Sequence, residues 1–229
     1  MSISHLDTGV GERAPTPPVE FTVVRHGQTG ENVRGILQGW LDTPLDERGV
    51  RQSRAVAGRL QDETFDRLIS SDLQRALESA APLGEMLKLP VEGTPVLREW
   101  HLGELEGRSV RELQREYPAI MGAFLREPAE EIEVPGGETH GAFFARIAAC
   151  LDALARENPG RRLLLVTHGG VLRAIYRHVV GFVSPGRLIP QTGNACICRF
   201  GYRNGEWQLT GWNDLSHLKD VGYRESLTF

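Results

Sequence analysis

Two apolar runs in this chain end in the same way. Residues 21–24 lead into Arg25-His26-Gly27, and the longer "RLLLVTHGG" at 162–170 leads into His168-Gly169-Gly170. Neither run alternates polar with apolar side chains, which is the pattern of strands covered on both faces and so of parallel sheets with helices above and below. Helical stretches lie between them at 46–61, 73–87 and 143–156. The last carries Phe144, Ile147, Ala148, Leu151 and Leu154 on one face until Asn158-Pro159-Gly160 stops it. The alternation predicts an α/β fold, a three-layer sandwich with a mostly parallel central sheet and helices on both faces.

Residues 65–70 read as a further strand, with Ser71 or Asp72 capping the helix that follows and Arg75 in its first turn. "SVRE" reads as a capping box, Ser109 with Glu112, opening a helix that Pro118 interrupts or restarts. Residues 101–140 are therefore expected to form a mostly helical insertion over one end of the sheet. Asn204-Gly205, between apolar segments at 196–202 and 206–211, signals a hairpin that adds an antiparallel edge. "GVGERAPTPP" at 9–18 is rich in Gly and Pro, so residues 1–19 are expected to be a flexible leader before a single domain at 20–229.

Composition narrows the classes of function. The 229 residues are 40% hydrophobic and 24% charged, enough for one sizeable core without staples. A net charge of -4 gives no general basic face, which argues against nucleic-acid and anionic-membrane partners. Cys150, Cys196 and Cys198 make no paired framework and read as reduced packing residues; a Cys-x-Cys half-site for metal has no second half. With no apolar stretch long enough for a membrane span and no signal pattern at the N-terminus, the expected location is cytoplasmic.

Ligands of open α/β sheets bind beyond the carboxyl ends of the strands, where both histidines fall. A glycine after each lets the backbone turn and leaves an N–H to face a ligand, and a helix N-terminus adds positive partial charge. That setting suits an anion. A lone histidine there is ordinarily satisfied by a carbonyl, but two, with Arg25, make a cluster. Metal ligation is the other plain reading; the chain lacks His-x-His, His-Glu-x-x-His and an Asp-rich companion, and Arg25 would repel a cation, so no metal and no cofactor are expected. Arg75 alone reads as a solvated arginine; with Arg25 it can form a fork for phosphate oxygens.

Taken together, "RHGQTGEN", "GILQGWLDTPLDERG", "LISSDLQRALESA", "LREWHLGELEG", "PGGET" and "LLLVTHGGVLRAI" resemble the histidine phosphatase superfamily, the phosphoglycerate mutase-like fold, in order from about residue 20 to 217. The resemblance implies that His26 is the nucleophile that becomes phosphorylated, that Arg25, Asn32, Arg75 and His168 bind phosphate, that Glu99 is the proton donor, and that Gln38 lies near the substrate. The residues alone do not choose Glu99 over Glu104 or Glu106.

The implied chemistry suits these residue types. A phosphate monoester is a dianion, so catalysis must neutralise its oxygens, place an attacker in line and protonate the leaving oxygen. His26 must be neutral, with its second nitrogen held by a loop carbonyl. Glu99 must carry a proton for the departing alcohol and afterwards take one from the water that releases phosphate.

Short segments after Asn32 and after "LGELEG" look like the phosphatase branch, so hydrolysis of a small phosphorylated metabolite is expected. Mutase-type phosphoryl transfer and a non-catalytic phosphate sensor stay open as alternatives. Gln28 and Gly30-Glu31 depart from the family pattern and are expected to alter the pocket rim. Arg34, Arg98, Arg108 and Arg111 are candidates for a second anion site or plain surface charges. A homodimer through a sheet edge rests on the resemblance alone.

Overall fold

The six strands are β1 (Val19–Arg25), β2 (Arg67–Ser71), β3 (Val91–Thr94), β4 (Arg162–Thr167), β5 (Ile197–Arg203) and β6 (Glu206–Asp214). In this computed structural model, which describes residues 16–181 and 184–222, they form one sheet in the order β3-β2-β4-β1-β5-β6. The first four of that order run parallel; β5 is antiparallel to β1, and β6 to β5. The expected leader lies mostly outside the described residues, and Val19, placed in it by the sequence, is buried in β1.

The strands without alternation are covered on both faces. Phe21, Val23, Leu163 and Leu165 point into one core with Phe143, Ile147 and Leu151 of α6 (His140–Glu157) and Leu172 and Ile175 of α7 (Gly169–Val180). Val24, Leu68, Leu164 and Val166 point into the other with Val56 and Leu60 of α2 (Glu47–Leu60) and Ala76, Ala80 and Leu83 of α3 (Gln74–Leu87). Successive strand residues face opposite layers, so a continuous apolar run serves two cores. Asn204 and Gly205 turn the hairpin with φ of 53° and 88°, the backbone that makes Asn-Gly the preferred pair. Cys196 and Cys198, two residues apart, are buried in one of these cores as free thiols.

Three local expectations give way to tertiary contacts. Ser71 belongs to β2 and Asp72 holds Arg98 through both carboxylate oxygens, at 2.6 and 2.7 Å, so neither caps α3. Its N-cap is Leu73, and the Gln74 N–H donates instead to Asp42 Oδ1 at 2.6 Å. Ser109 does precede α4 (Val110–Glu116), but its side chain makes no cap bond, because main-chain bonds from Leu37 N to Arg108 O and Val110 N to Gly35 O fix the entry. The reciprocal capping box is at α1 (Gly30–Arg34), between Thr29 and Asn32. Pro118 starts α5 (Pro118–Ala123), and the rest of the expected 101–140 insertion is irregular apart from a 3-10 turn at Gly103–Leu105 and His140, which opens α6. Strand β3 was missed by the sequence reading; its half-buried "VEGT" carries too little apolar signal.

The loop after β1 lies backbone against backbone on the first turn of α2. A Cβ on Gly49 would stand 2.1 Å from Gln28 O, and one on Gly27 would stand 2.6 Å from Gly49 O. Gly58, in the same helix, is exposed with open space around it. Gly49→Ala is therefore expected to lower stability by about 1–3 kcal/mol through overpacking. Gly58→Ala should raise it by about 0.5–1 kcal/mol. Urea unfolding midpoints of the two variants check the contrast.

Candidate active site

The register of β1 on β4 sets Arg25 beside Thr167, so the next residues, His26 and His168, leave the sheet side by side. Their ring centroids are 5.2 Å apart. Two histidines far apart in sequence thus become neighbours because two parallel strands end at the same level.

Four consecutive main-chain N–H groups anchor the loop that carries His26. His26 N donates to Thr167 O (2.8 Å), Gly27 N to Ser79 Oγ (3.0 Å), Gln28 N to Gln52 Oε1 (2.8 Å) and Thr29 N to Asn32 Oδ1 (3.2 Å). The Gly27 N–H is thus bonded within the protein, against the expectation that it would face a ligand. Gln28 is buried and tied to Asp46, so it shapes α2's start, not the pocket rim. The loop is held rigidly because no donor in it is left for water.

His26 is 3% exposed, and its Nδ1 lies 2.7 Å from Gly27 O. A carbonyl only accepts, so Nδ1 carries the hydrogen and Nε2 keeps its lone pair. Burial first, then Arg75 and Arg25, push the His26 pKa well below the ordinary histidine value; the Gly27 bond opposes them. The ring is neutral, as a nucleophile requires. His168 is fully buried and its pKa is likewise pushed well down, by burial and then Arg75. Its Nε2 meets Ser71 Oγ at 2.8 Å. Ser71 Oγ also accepts from Leu73 N at 3.4 Å, which ties the hydroxyl beside His168 to the entry of α3.

The arginines are fixed by carbonyls. Arg25 Nη1 donates to Thr192 O at 2.6 Å; Arg75, 1% exposed, donates from Nη1 to Leu41 O at 2.7 Å and from Nη2 to Gly39 O at 2.8 Å. Burial lowers both guanidinium pKa values, that of Arg75 to about 10, and both stay cationic at neutral pH. Among the described residues, Arg25 Nε, Arg75 Nε and His168 Nδ1 are buried polar atoms with no hydrogen-bond partner. Buried donors without partners are costly, so the two guanidinium Nε–H groups point to an anion.

Arg25, His26, Asn32, Gln38, Arg75 and Glu99 line one cavity of about 80 Å³. His168, behind His26, is the predicted site residue outside that lining. Asn32 Oδ1 accepts from Thr29 N and from Asn194 Nδ2, which leaves its own Nδ2 for a ligand. Gln38 Oε1 accepts from Thr29 and Thr43 hydroxyls, with the same consequence for its Nε2. Glu99 reaches the cavity from the loop after β3; its Oε1 accepts from Trp100 N and its Oε2 from Gly170 N, both at 2.9 Å. A Cβ on Gly170 would meet Glu99 Oε1 at 2.1 Å. Glu104 is exposed, Glu106 Oε1 accepts from Trp40 N and Leu102 N, and of the three candidate carboxylates only Glu99 lines the cavity.

Two contributors escaped the sequence reading. Asn194 donates to His26 O, Gly27 O and Asn32 Oδ1, bracing the loop from the far side. Arg173 lines the cavity beside Phe124, with burial lowering its pKa to about 10. Its position one helical turn after Gly169 was the available signal, since that turn faces the sheet end. Arg34, Arg98, Arg108 and Arg111 do not line the cavity: the first three pair with Glu31, Asp72 and Glu116, and Arg111 is exposed. Glu31 does sit at the rim, as expected.

The buried neutral histidines make stability depend on pH. His26, His168 and His140, the last pushed to about 4 by burial, bind no proton in the folded state near pH 6, whereas the unfolded chain takes them up below about pH 6.5. The unfolded state therefore holds more protons, and stability falls as pH drops through that window. His217, lowered by burial, acts in the same direction, and Glu127, whose pKa burial raises, opposes it. Urea unfolding at pH 7 and pH 5.5 should show a loss of about 2–4 kcal/mol.

No group of three or more His, Cys, Asp or Glu side chains able to hold a metal occurs among the described residues, and no helix there is long and apolar enough to cross a membrane. Residues 21–215 match the profile of the histidine phosphatase superfamily (branch 1). A metal-independent phosphoserine phosphatase of Arabidopsis thaliana is 36% identical over 89% of this chain and 85% of its own length. Phosphoglycerate mutase-like protein 4 of the same plant is 33% identical over 90% of each chain. The solved structure of a mycobacterial glucosyl-3-phosphoglycerate phosphatase in complex with VO3 superposes with a TM-score of 0.73 and 31% identity, over 85% of this chain and 98% of that one. By a match spanning nearly all the described residues, with the paired histidines at its centre, the chain belongs to the histidine phosphatase superfamily.

Proposed function

We propose that the protein is a metal-independent phosphomonoesterase that works through a phosphohistidine on His26 Nε2. The observation that carries this reading is a neutral imidazole with a fixed lone pair, set among buried guanidiniums whose spare N–H groups await an anion. Arg25, Arg75, Asn32 and His168 receive the equatorial phosphate oxygens. His26 attacks phosphorus, the P–O bond to the alcohol breaks, and Glu99 gives its proton to the leaving oxygen. The same carboxylate then takes a proton from water as its oxygen attacks the phosphohistidine, freeing inorganic phosphate.

Hydrolysis of p-nitrophenyl phosphate checks the core of this. His26→Ala should lower the rate by at least about a thousandfold, as loss of a nucleophile does, and EDTA should leave the parent unchanged. Rapid quench of the parent with labelled substrate should trap an acid-labile phosphoenzyme. Supplied with 3-phosphoglycerate and 2,3-bisphosphoglycerate, the protein should release phosphate; 2-phosphoglycerate without phosphate would favour the mutase alternative, and no turnover at all the sensor.

The leaving-group side of the cavity is apolar, from Ile36, Leu37, Leu102, Val110 and Phe124, with Arg173 as its cation. The relatives named for phosphoserine and glucosyl-3-phosphoglycerate act on esters that bear a carboxylate. A small phosphorylated metabolite with a carboxylate toward Arg173 fits this lining. Arg173→Met should raise KM for phosphoserine and 3-phosphoglycerate about 10- to 100-fold, the worth of one charged hydrogen bond. KM for p-nitrophenyl phosphate, which has no carboxylate, should change little.

A further inference from the structure

Glu99 sits in irregular chain between the turn Pro95–Leu97 and Leu102, so no helix or strand fixes its backbone. One guanidinium from α6, which packs in the same core as this segment, does. Arg146 of α6 donates from Nη1 to Val96 O (2.7 Å) and Arg98 O (3.0 Å), and from Nη2 to Glu99 O (3.1 Å). Its remaining donors close on Glu138, Nε to Oε1 at 2.8 Å and Nη2 to Oε2 at 2.7 Å. All five N–H groups of the guanidinium are used, three of them on the segment that carries Glu99.

Glu138 extends the brace. Its Oε2 accepts from His101 N, its carbonyl from Trp100 Nε1, and its own N–H donates to His101 O. Trp40 Nε1 adds a second donor to Glu99 O at 2.7 Å, and its ring carries the Arg98 guanidinium 4.8 Å from the centroid. The Arg146 and Glu138 side chains are 19% and 20% exposed, so water competes weakly for this pair. Arg146 does not line the cavity, and its hydrogen bonds go to main-chain carbonyls and to Glu138.

We infer that Arg146 is a positioning residue for the proton donor: its fork on the carbonyls of Val96, Arg98 and Glu99 sets where the Glu99 carboxylate meets the leaving oxygen. This rests on the reading of Glu99 as that donor. A lysine has one point of charge and cannot span three carbonyls and a carboxylate at once, so Arg146→Lys should restore only part of the function.

Leaving groups of different basicity separate this role from a merely structural one. An alkoxide needs a proton to depart, whereas p-nitrophenolate leaves well without it. For β-glycerol phosphate and p-nitrophenyl phosphate, kcat/KM reports events up to phosphorylation of His26. Glu99→Gln should cut kcat/KM for the alkyl ester by about a hundredfold or more and spare the aryl ester, the usual scale of general-acid catalysis. Arg146→Met should show the same selectivity at smaller size, roughly tenfold or more, with Arg146→Lys between it and the parent.

An equal fall on both esters in Arg146→Met, with Glu99→Gln selective, would overturn the inference and leave Arg146 a structural residue. If Glu99→Gln itself shows no selectivity, the assignment of Glu99 fails, and the inference with it. Should Arg146→Met not fold, Arg146→Lys and Trp40→Phe, which removes only the other donor to Glu99 O, carry the same comparison. Circular dichroism and urea midpoints establish folding for each variant.

Discussion

Two buried guanidiniums held by carbonyls shape everything around them. Arg25 and Arg75 reach Thr192, Leu41 and Gly39 through main-chain oxygens, which orient a cation without neutralising it. A carboxylate in the same place would make a closed ion pair and leave no attraction for phosphate. Burial of an unneutralised charge is costly, so the surrounding chain must be rigid enough to bear it. The anchored loop at 26–29, the Gly27–Gly49 contact and the Ser79 bridge supply that rigidity. The same positive charge helps keep His26 neutral, as the proposed attack on phosphorus requires.

The two halves of the site are braced from opposite sides of the sheet. The arginine side of the cavity leans on α2 and α3, through Gly49, Gln52, Ser79 and Arg75. The Glu99 side leans on α6 and α7, through Arg146 and Gly170. On the proposed mechanism, in-line transfer needs attacker, phosphorus and leaving oxygen in one row, and the sheet between the layers would set that alignment. Thr167, at the end of β4, joins both halves: its carbonyl accepts from His26 N, and its hydroxyl donates to Leu97 O just before the Glu99 segment.

The sequence was legible where local pattern and tertiary demand agree. The two unalternating runs ending in His-Gly specify buried parallel strands, and the shared strand ends put His26 beside His168. Asn-Gly specified its hairpin for the same reason: only one backbone suits that turn. Legibility failed where a distant group supplied what a neighbour would ordinarily supply. Asp42 caps α3 in place of Ser71 or Asp72, and Ser79, not a ligand, takes the Gly27 N–H. Arg173, Asn194 and Arg146 escaped notice because each resembles an ordinary polar residue until the fold brings its partner near. Glu99 was chosen by resemblance over Glu104 and Glu106; of the three, it is the one that lines the cavity.

Specificity was the least legible property, and its construction explains why. The histidine and arginine part of the cavity is built from short-range pieces at strand ends, where few sequences satisfy the backbone. Another part of the lining comes from Leu102, Val110 and Phe124 of the insertion and Arg173 of α7. Those side chains come from separate segments and need only be apolar or cationic at the right spot, so many sequences would serve. On the proposed reading, substitution there would change which alcohol fits while His26, Arg25 and Arg75 stay bonded to main-chain carbonyls. A cavity built in this way would keep one chemistry and exchange its substrates.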